Sequence, residues 1–121
     1  MRLLKRVEYE AVYGAGQRRS SPQFAVFFRS QAALPREAPV NKAAGADRIS
    51  RFGISVKKAL GGAVVRNRIR RRIREILRRN RTEIPKGWDI VIHPRSSVAE
   101  APFAPLEAEL LRLLRGIVPK A

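Results

Sequence analysis

The sequence contains no cysteine and only one histidine, His93. Without cysteine the chain can form no disulfide, no thiolate zinc site and no cysteine nucleophile. No apolar run approaches the roughly 20 residues of a membrane-spanning helix. The basic N-terminus also meets Glu8 and Glu10 before any apolar stretch of signal-peptide length. We therefore expect a cytoplasmic protein that has no membrane as a partner.

Acidic residues are also scarce, and none stands in a catalytic pattern. The ten acids are scattered, and none pairs with His93 or with another acid at a spacing that would hold a metal. The chain has no P-loop and no serine in a nucleophile elbow. Because His93 follows a buried run, we interpret it as a strand-end residue rather than a catalyst. We identify no catalytic residue and no metal site on the protein, which disfavours a self-sufficient nuclease.

Positive charge is what the chain has in excess. It has 26 lysines and arginines against the ten acids, a net charge of +16 over 121 residues. The 45% hydrophobic content and the periodic segments indicate that this charge lies on a folded body rather than on a disordered tail. The length suits one domain, which we place at 1–121. Such a domain should bind a polyanion, and nucleic acid is the leading partner.

Apolar periodicity predicts a helix, two strands, a long helix, a strand and a final helix. Leu4, Val7 and Ala11 have helical spacing in the first helix. The segment 31–47 has two prolines and no period, so we predict a flexible connection there. We expect the first two strands to pair antiparallel, within an α+β or α/β fold that packs helices on a small sheet. The predicted elements are 4–13, 23–29, 48–56, 64–81, 88–92 and 103–117.

The long helix combines an apolar stripe with a basic ridge. Residues 64–81 contain nine arginines and one acid, Glu75. Solvated helix faces normally mix charges of both signs, so a face without acids favours phosphate binding, for which the arginine fork is suited. Asn67 would serve either a base edge or 2′-hydroxyl, or a helix N-cap. The stripe predicted to be core consists of Val65, Ile69, Ile73, Ile76 and Leu77. The ridge consists of Asn67, Arg71, Arg74 and Arg78, flanked by Arg68, Arg70 and Arg72.

Aromatic residues concentrate in the first helix and first strand. Strand alternation places Phe24 and Phe28 on one face and Phe27 on the other. Such stripes belong to a core more often than to a binding site. Tyr9 and Tyr13 are four residues apart on a short helix, so both can face one groove. Aromatics lining a positive channel are typical of single-strand stacking sites.

The segment "RFGISVKKALGGAVVRNRIRRRIREILR", residues 51–78, resembles the signature of the protein subunit of bacterial ribonuclease P. The similarity centres on an RNR triplet at 66–68, followed by a basic residue at 70 and by Arg71, Ile73, Arg74 and Glu75. "EYEAVYGAG", "PQFAVFF" and "WDIVIHPR" are similar to the family's first helix, first long strand and the strand before its last helix. The resemblance implies a small α+β domain with a left-handed βαβ crossover that carries the RNR triplet, against the usual right-handed rule.

The resemblance also implies a function. The implied protein is a subunit that stabilises a catalytic RNA and binds the single-stranded 5′ leader of precursor tRNA. The RNA subunit would remove that leader, using magnesium bound mainly by the RNA. The protein alone would be inactive, and no obligate protein partner is expected. The implied contacts to the RNA subunit are Arg66, Asn67, Arg68, Arg70, Arg71, Arg74 and Arg78. The implied leader cleft contains Tyr9, Tyr13, Phe27, Lys57 and Lys58.

Three positions depart from the family pattern. Lys57 stands where serine is usual, Ala59 stands where a second lysine is common, and Gly62 replaces a frequent asparagine. Read from the residues alone, a ribosomal protein or general RNA chaperone is the main alternative. A membrane-active basic helix is disfavoured because the isoleucine stripe is needed for the core.

Overall fold

The structure is a computed structural model of the chain. It describes residues 2–4, 6–14, 17–31 and 50–117. Apart from Gln31, the predicted connection at 31–47 lies outside these residues. The helices are α1 Arg6–Gly14, α2 Ala63–Arg79 and α3 Phe103–Arg115. The strands are β1 Arg2–Leu3, β2 Gln17–Ser20, β3 Phe24–Ser30, β4 Arg51–Ile54 and β5 Trp88–Pro94. Short 3-10 turns cover Lys58–Leu60, Arg81–Glu83 and Ser96–Ala99.

The five strands form one mixed sheet in the order β1, β4, β5, β3, β2. β5 pairs in parallel with β4 and antiparallel with β3. The predicted α+β fold, with three helices on a small mixed sheet, is confirmed. The predicted direct pairing of the strands at 23–29 and 48–56 is wrong, because β5 lies between them. Every residue of β5 except His93 is buried, and so apolar a strand is most stable in the centre of a sheet.

Two short strands had no signal in the sequence. β1 has only two residues, and β2 consists of the polar residues QRRS at the sheet edge. Helix α2 joins the parallel neighbours β4 and β5, so these three elements form a βαβ unit. The left-handed sense of that crossover stays a prediction, as does the single domain over 1–121.

Helices α2 and α3 contribute to one core with one face of the sheet. The apolar stripe of α2 is buried as predicted, with the exception of Val65, which is 37% exposed. Its side chain lies beside Gly61, at which a Cβ would come within 3.0 Å of Val65. Gly61 has a φ of 147°, so the tight turn into α2 depends on glycine. The main members of this core are Phe24, Val26, Phe28, Ile69, Ile73, Ile76, Leu77, Leu106, Leu110 and Leu114.

Helix α1 packs on the opposite face of the sheet. Leu4, Val12 and Val91 form a second apolar cluster there. The predicted stripe of α1 is partly wrong, because Ala11 is exposed and Val12 is fully buried. The helix begins at Arg6, so Leu4 packs from the preceding segment and does not set the helical phase. The side chain of Val7 lies outside the described part.

Candidate nucleic-acid interface

The outward face of α2 presents the predicted basic ridge. Asn67, Arg71, Arg74 and Arg78 are all exposed. Within the described part of the chain, Arg71 and Arg74 make no ion pair and no hydrogen bond. Arg78 donates two hydrogen bonds to Glu75. This hydrogen bonding is the main reason that the pKa of Glu75 lies below its usual value. The ridge therefore keeps two charged forks available for phosphate oxygens.

Asn67 lies inside the helix rather than at its start. The N-cap of α2 is Gly62, which provides no side-chain cap. The capping interpretation of Asn67 is therefore wrong. Its Oδ1 accepts a hydrogen bond of 3.0 Å from Nη1 of Arg70. That bond leaves the amide nitrogen free of protein partners among the described residues, so it can donate to an RNA group.

Several arginines beside the ridge also bond to the protein itself. Arg72 donates to the carbonyl oxygens of Val98, Ala99 and Ala101, which ties α2 to the turn before α3. Arg66 donates from Nε to the carbonyl of Gly61 at 3.1 Å. These bonds place Arg72 in a structural role and leave Arg66 with part of its fork for a ligand.

A basic groove runs between α2 and the segment 99–103. Its volume is about 1100 Å³. Arg68 crosses it to an exposed ion pair with Glu100, at 3.1 Å. A groove of this size and charge can hold a nucleic-acid backbone. The arginines that line it are Arg68, Arg71, Arg72, Arg74, Arg78 and Arg81.

On the other face of the sheet, three rings form a cluster beneath α1. Tyr13 meets Phe27 edge-on, with ring centroids 5.1 Å apart. His93 lies 5.1 Å from Phe27 and 5.5 Å from Tyr13. The Tyr13 hydroxyl is 2.7 Å from Nε2 of His93. We call this group, Tyr13, Phe27 and His93, the ring cluster.

Tyr9 continues the aromatic surface along the sheet. Its ring lies against Gly53 of β4, where an added Cβ would come within 2.5 Å of the ring. Glycine at this buried strand position therefore lets α1 approach the sheet closely. Tyr9 also lines a cavity of about 350 Å³ together with Ser55 and Arg70. Arg70 thus connects the surface of α2 to the aromatic side of the sheet. We call the cavity beside Tyr9, together with the ring cluster, the cleft.

Lys57 and Lys58 follow β4 and are exposed. β4 ends at Ile54, and Lys58 begins a 3-10 turn. Strand geometry therefore does not continue to Ala59. Lys57 acts electrostatically on His93, which places its charge near the ring cluster.

Sequence reasoning missed His93 and Arg18 as members of this site. The Arg18 guanidinium lies 5.6 Å from the centre of the Phe27 ring. β2 pairs Arg18 with Phe27, and β3 pairs Ala25 with His93. Alternation along β5 would have placed His93 on the α1 face, but only the strand order could bring it to Phe27. Burial lowers the pKa of His93, and the charges of Lys57 and Arg18 lower that pKa further.

A buried ion-pair network fixes the other end of the α1 face. Asp89 is fully buried and accepts two hydrogen bonds from Arg51, at 2.9 and 2.7 Å. Arg29 contacts the same carboxylate at 3.2 Å, and Gln31 donates to it at 3.1 Å. Arg51 also bonds Glu8 of α1 at 2.7 Å. The network links α1 to three strands and neutralises the two arginines nearest that end.

In the described ranges 2–4, 6–14, 17–31 and 50–117, no three histidine, aspartate or glutamate side chains cluster as a metal site would require. The same part of the chain contains no helix that is long and apolar enough to cross a membrane. Most carboxylates in the described part of the chain form ion pairs with arginine side chains. The acids in arginine ion pairs are Glu8, Glu75, Glu83, Asp89, Glu100, Glu107.

The basic groove and the aromatic cleft define a small α+β RNA-binding protein. Comparison with known proteins makes this class specific, since a model of the family described as Ribonuclease P matches residues 1–118. The chain belongs to the ribonuclease P protein family, whose members are protein components of a tRNA-processing ribonucleoprotein.

Similar proteins agree with this assignment. The ribonuclease P protein component of Desulfovibrio desulfuricans is 39% identical over 117 residues, which cover 95% of this chain and 81% of that protein. That of Roseiflexus castenholzii is 51% identical over 85 residues, 68% of this chain and 70% of the relative. The solved RNase P protein from Thermotoga maritima has a TM-score of 0.79 and 32% identity, covering 98% of this chain and 99% of that one. The Staphylococcus aureus protein has a TM-score of 0.72 and 26% identity, with coverage of 94% and 92%.

Proposed function

We propose that this chain binds the ribonuclease P RNA subunit with its arginine face and the 5′ leader of precursor tRNA in its cleft. In this way it assists the endonucleolytic removal of the leader. The observation that carries the proposal is the separation of exposed arginines on α2 from an aromatic cleft under α1, on the other face of the sheet. Two unlike surfaces suit two unlike RNA partners.

The arginine face has the chemistry of a backbone-binding surface. Arg71 and Arg74 are exposed and unpaired among the described residues, so they can replace counterions on phosphates without first breaking an ion pair. Neutralising phosphates where RNA segments approach one another would also stabilise the RNA fold. The residues proposed to contact the RNA subunit are Arg66, Asn67, Arg68, Arg70, Arg71, Arg74 and Arg78.

The cleft has the chemistry of a single-strand site. The rings of Tyr9, Tyr13 and Phe27 supply stacking surfaces, which bind unpaired bases with little dependence on sequence. Lys57 and Lys58 stand exposed beside them and supply charge for the backbone. A duplex would offer no free base faces, so the leader is the part of precursor tRNA that suits this cleft.

We assign the cleavage chemistry to the RNA subunit, with Mg²⁺ bound mainly there, and propose that the protein alone is inactive. General acid and base catalysis by the protein would need carboxylates free to exchange protons. Most of the described carboxylates are instead held in ion pairs with arginine. A partner of precursor tRNA and the RNA subunit would act in the cytoplasm.

Cleavage of precursor tRNA by a bacterial ribonuclease P RNA at low magnesium tests the proposal. The reaction is compared with and without this protein, beside the protein alone. We expect stimulation only when RNA and protein are both present. Tight RNA binding without stimulation, across several such RNAs, would favour a ribosomal or chaperone role, and cleavage by the protein alone would contradict the assignment of chemistry to the RNA.

A further inference from the structure

The ring cluster contains a titratable group that stacking does not use. We propose that His93 binds a phosphate group of the single-stranded RNA in the cleft and takes up a proton as it does so. This inference rests on the proposed function of the cleft. It adds a phosphate contact at a defined residue and makes leader binding depend on pH.

One nitrogen of His93 is already fixed by the protein. The Tyr13 hydroxyl lies 2.7 Å from Nε2 of His93, and it can donate to that nitrogen in the neutral ring or accept from it in the protonated ring. When Tyr13 donates, the neutral imidazole carries its own proton on Nδ1. On protonation the second proton goes to Nε2, and the Tyr13 hydroxyl turns to accept a hydrogen bond from it. The hydrogen bond with Tyr13 therefore orients the ring and leaves Nδ1 as a donor.

Nδ1 is free to meet a ligand. It has no hydrogen-bond partner among the described residues. Within that part of the chain, Nε of Arg19 is the one fully buried side-chain nitrogen or oxygen that lacks a partner. Nδ1 of His93 lacks a partner too, but it is not one of the fully buried atoms, so it reaches solvent. A phosphate oxygen in the cleft can accept a hydrogen bond from it.

The charges around His93 make a phosphate the favoured ligand. Around His93 lie Tyr13 with its neighbour Tyr9 on α1, Arg18 on β2 and Lys57 in the segment after β4. The cations among these groups oppose protonation of His93 in the free protein. Asp89 lies on the same face of β5 but is held by Arg51 and Arg29. A bound phosphate would supply the negative charge that the ring cluster lacks.

The sign of the pH effect follows from these charges. In the free protein, burial and the two cations lower the pKa of His93, so the ring is neutral near pH 7. A bound phosphate raises that pKa, so the complex holds more protons than the free components. Affinity for the leader therefore increases as the pH falls from the bound pKa to the free pKa. One linked proton limits the increase to about tenfold per pH unit.

The test compares precursor tRNA with mature tRNA on the holoenzyme assembled with a bacterial ribonuclease P RNA. Binding is measured between about pH 5.5 and 8, over times short compared with cleavage of the precursor. The ratio of the two dissociation constants isolates the leader from pH effects on the rest of tRNA. We expect the preference for precursor to increase by about threefold to tenfold as the pH falls.

Two substitutions make the assignment specific, since His93 is the only histidine in the chain. His93→Gln keeps an amide that can reach the Tyr13 hydroxyl from the position of Nε2 but cannot take up a proton, and His93→Ala removes the contact altogether. Both variants should lose the pH dependence of the ratio, and His93→Ala should show the lower affinity at every pH.

The outcomes separate this inference from the function on which it rests. A wild-type preference for precursor tRNA that does not change with pH, or a pH dependence that both variants retain, would overturn the role of His93 and leave the leader cleft standing. No preference for precursor over mature tRNA at any pH would overturn the leader cleft itself.

Discussion

The outer face of α2 and the α1 face of the sheet both contain several arginines, but the protein uses them differently. On α2, Arg71 and Arg74 are exposed and have no acidic partner among the described residues. On the α1 face, Arg29 and Arg51 converge on the buried Asp89. A count of basic residues therefore does not locate the binding charge. What matters is whether each cation already has a partner.

The same contrast predicts different responses to salt. Binding through the unpaired arginines of α2 should weaken steeply as salt rises, because it releases counterions. The cleft adds stacking rings to the exposed Lys57 and Lys58, so a larger share of the binding there should come from stacking. The two surfaces can thus be separated by experiment even though one chain presents both.

The largest expected effect concerns the buried network. Asp89→Asn leaves Arg29 and Arg51 facing each other without their shared anion. The free energy of unfolding should therefore fall by about 3 kcal/mol. This value is at the lower end for broken buried ion pairs because both arginines reach water. Denaturant unfolding measures this loss. The matched control is Glu100→Gln, which breaks an exposed ion pair on the α2 side and should cost less than about 1 kcal/mol. Equal losses would erase the distinction between the two regions.

Removal of the unpaired charges should act on binding rather than on folding. Arg71→Ala combined with Arg74→Ala should weaken binding to the RNA subunit and flatten the salt dependence by up to about 0.9 per lost phosphate contact. Titrations at several salt concentrations measure the slope. Arg112→Ala removes an exposed arginine of α3 and serves as the control, with a smaller change expected. An unchanged slope in the double variant would remove the ridge from the RNA interface.

A smaller effect on RNA binding is expected from a methyl group added to β4 beneath the Tyr9 ring. Gly53→Ala places a Cβ within 2.5 Å of the Tyr9 ring, which must then move. We expect a loss of precursor-tRNA affinity below the roughly 1 to 3 kcal/mol of a complete stacking contact, with RNA-subunit affinity unchanged. Gly14→Ala, where an added Cβ meets no other atom, is the control. Comparable losses in both variants would mean that Tyr9 does not contact RNA.

Local patterns predicted the helices, the long strands and the buried stripe of α2. Each of these depends on apolar spacing within one segment, as Ile69 and Ile73 illustrate. The position of β5 between β3 and β4 depends on contacts between distant segments, and no local period contains that information. The same limit applies to the site. The ridge lies on one helix and was predictable, whereas the contact of His93 with Tyr13 and Phe27 requires the strand order.

The most direct test of the account measures two variants against two RNAs. The variants are Tyr13→Ala and the combined Arg71→Ala and Arg74→Ala. Affinity is measured for the RNA subunit, and for precursor against mature tRNA on the assembled holoenzyme. We predict that Tyr13→Ala lowers precursor affinity by roughly 1 to 3 kcal/mol more than mature-tRNA affinity and leaves RNA-subunit binding intact, while the arginine variant does the reverse. If both variants weakened both interactions equally, the claim that two separate surfaces bind two RNAs would be wrong.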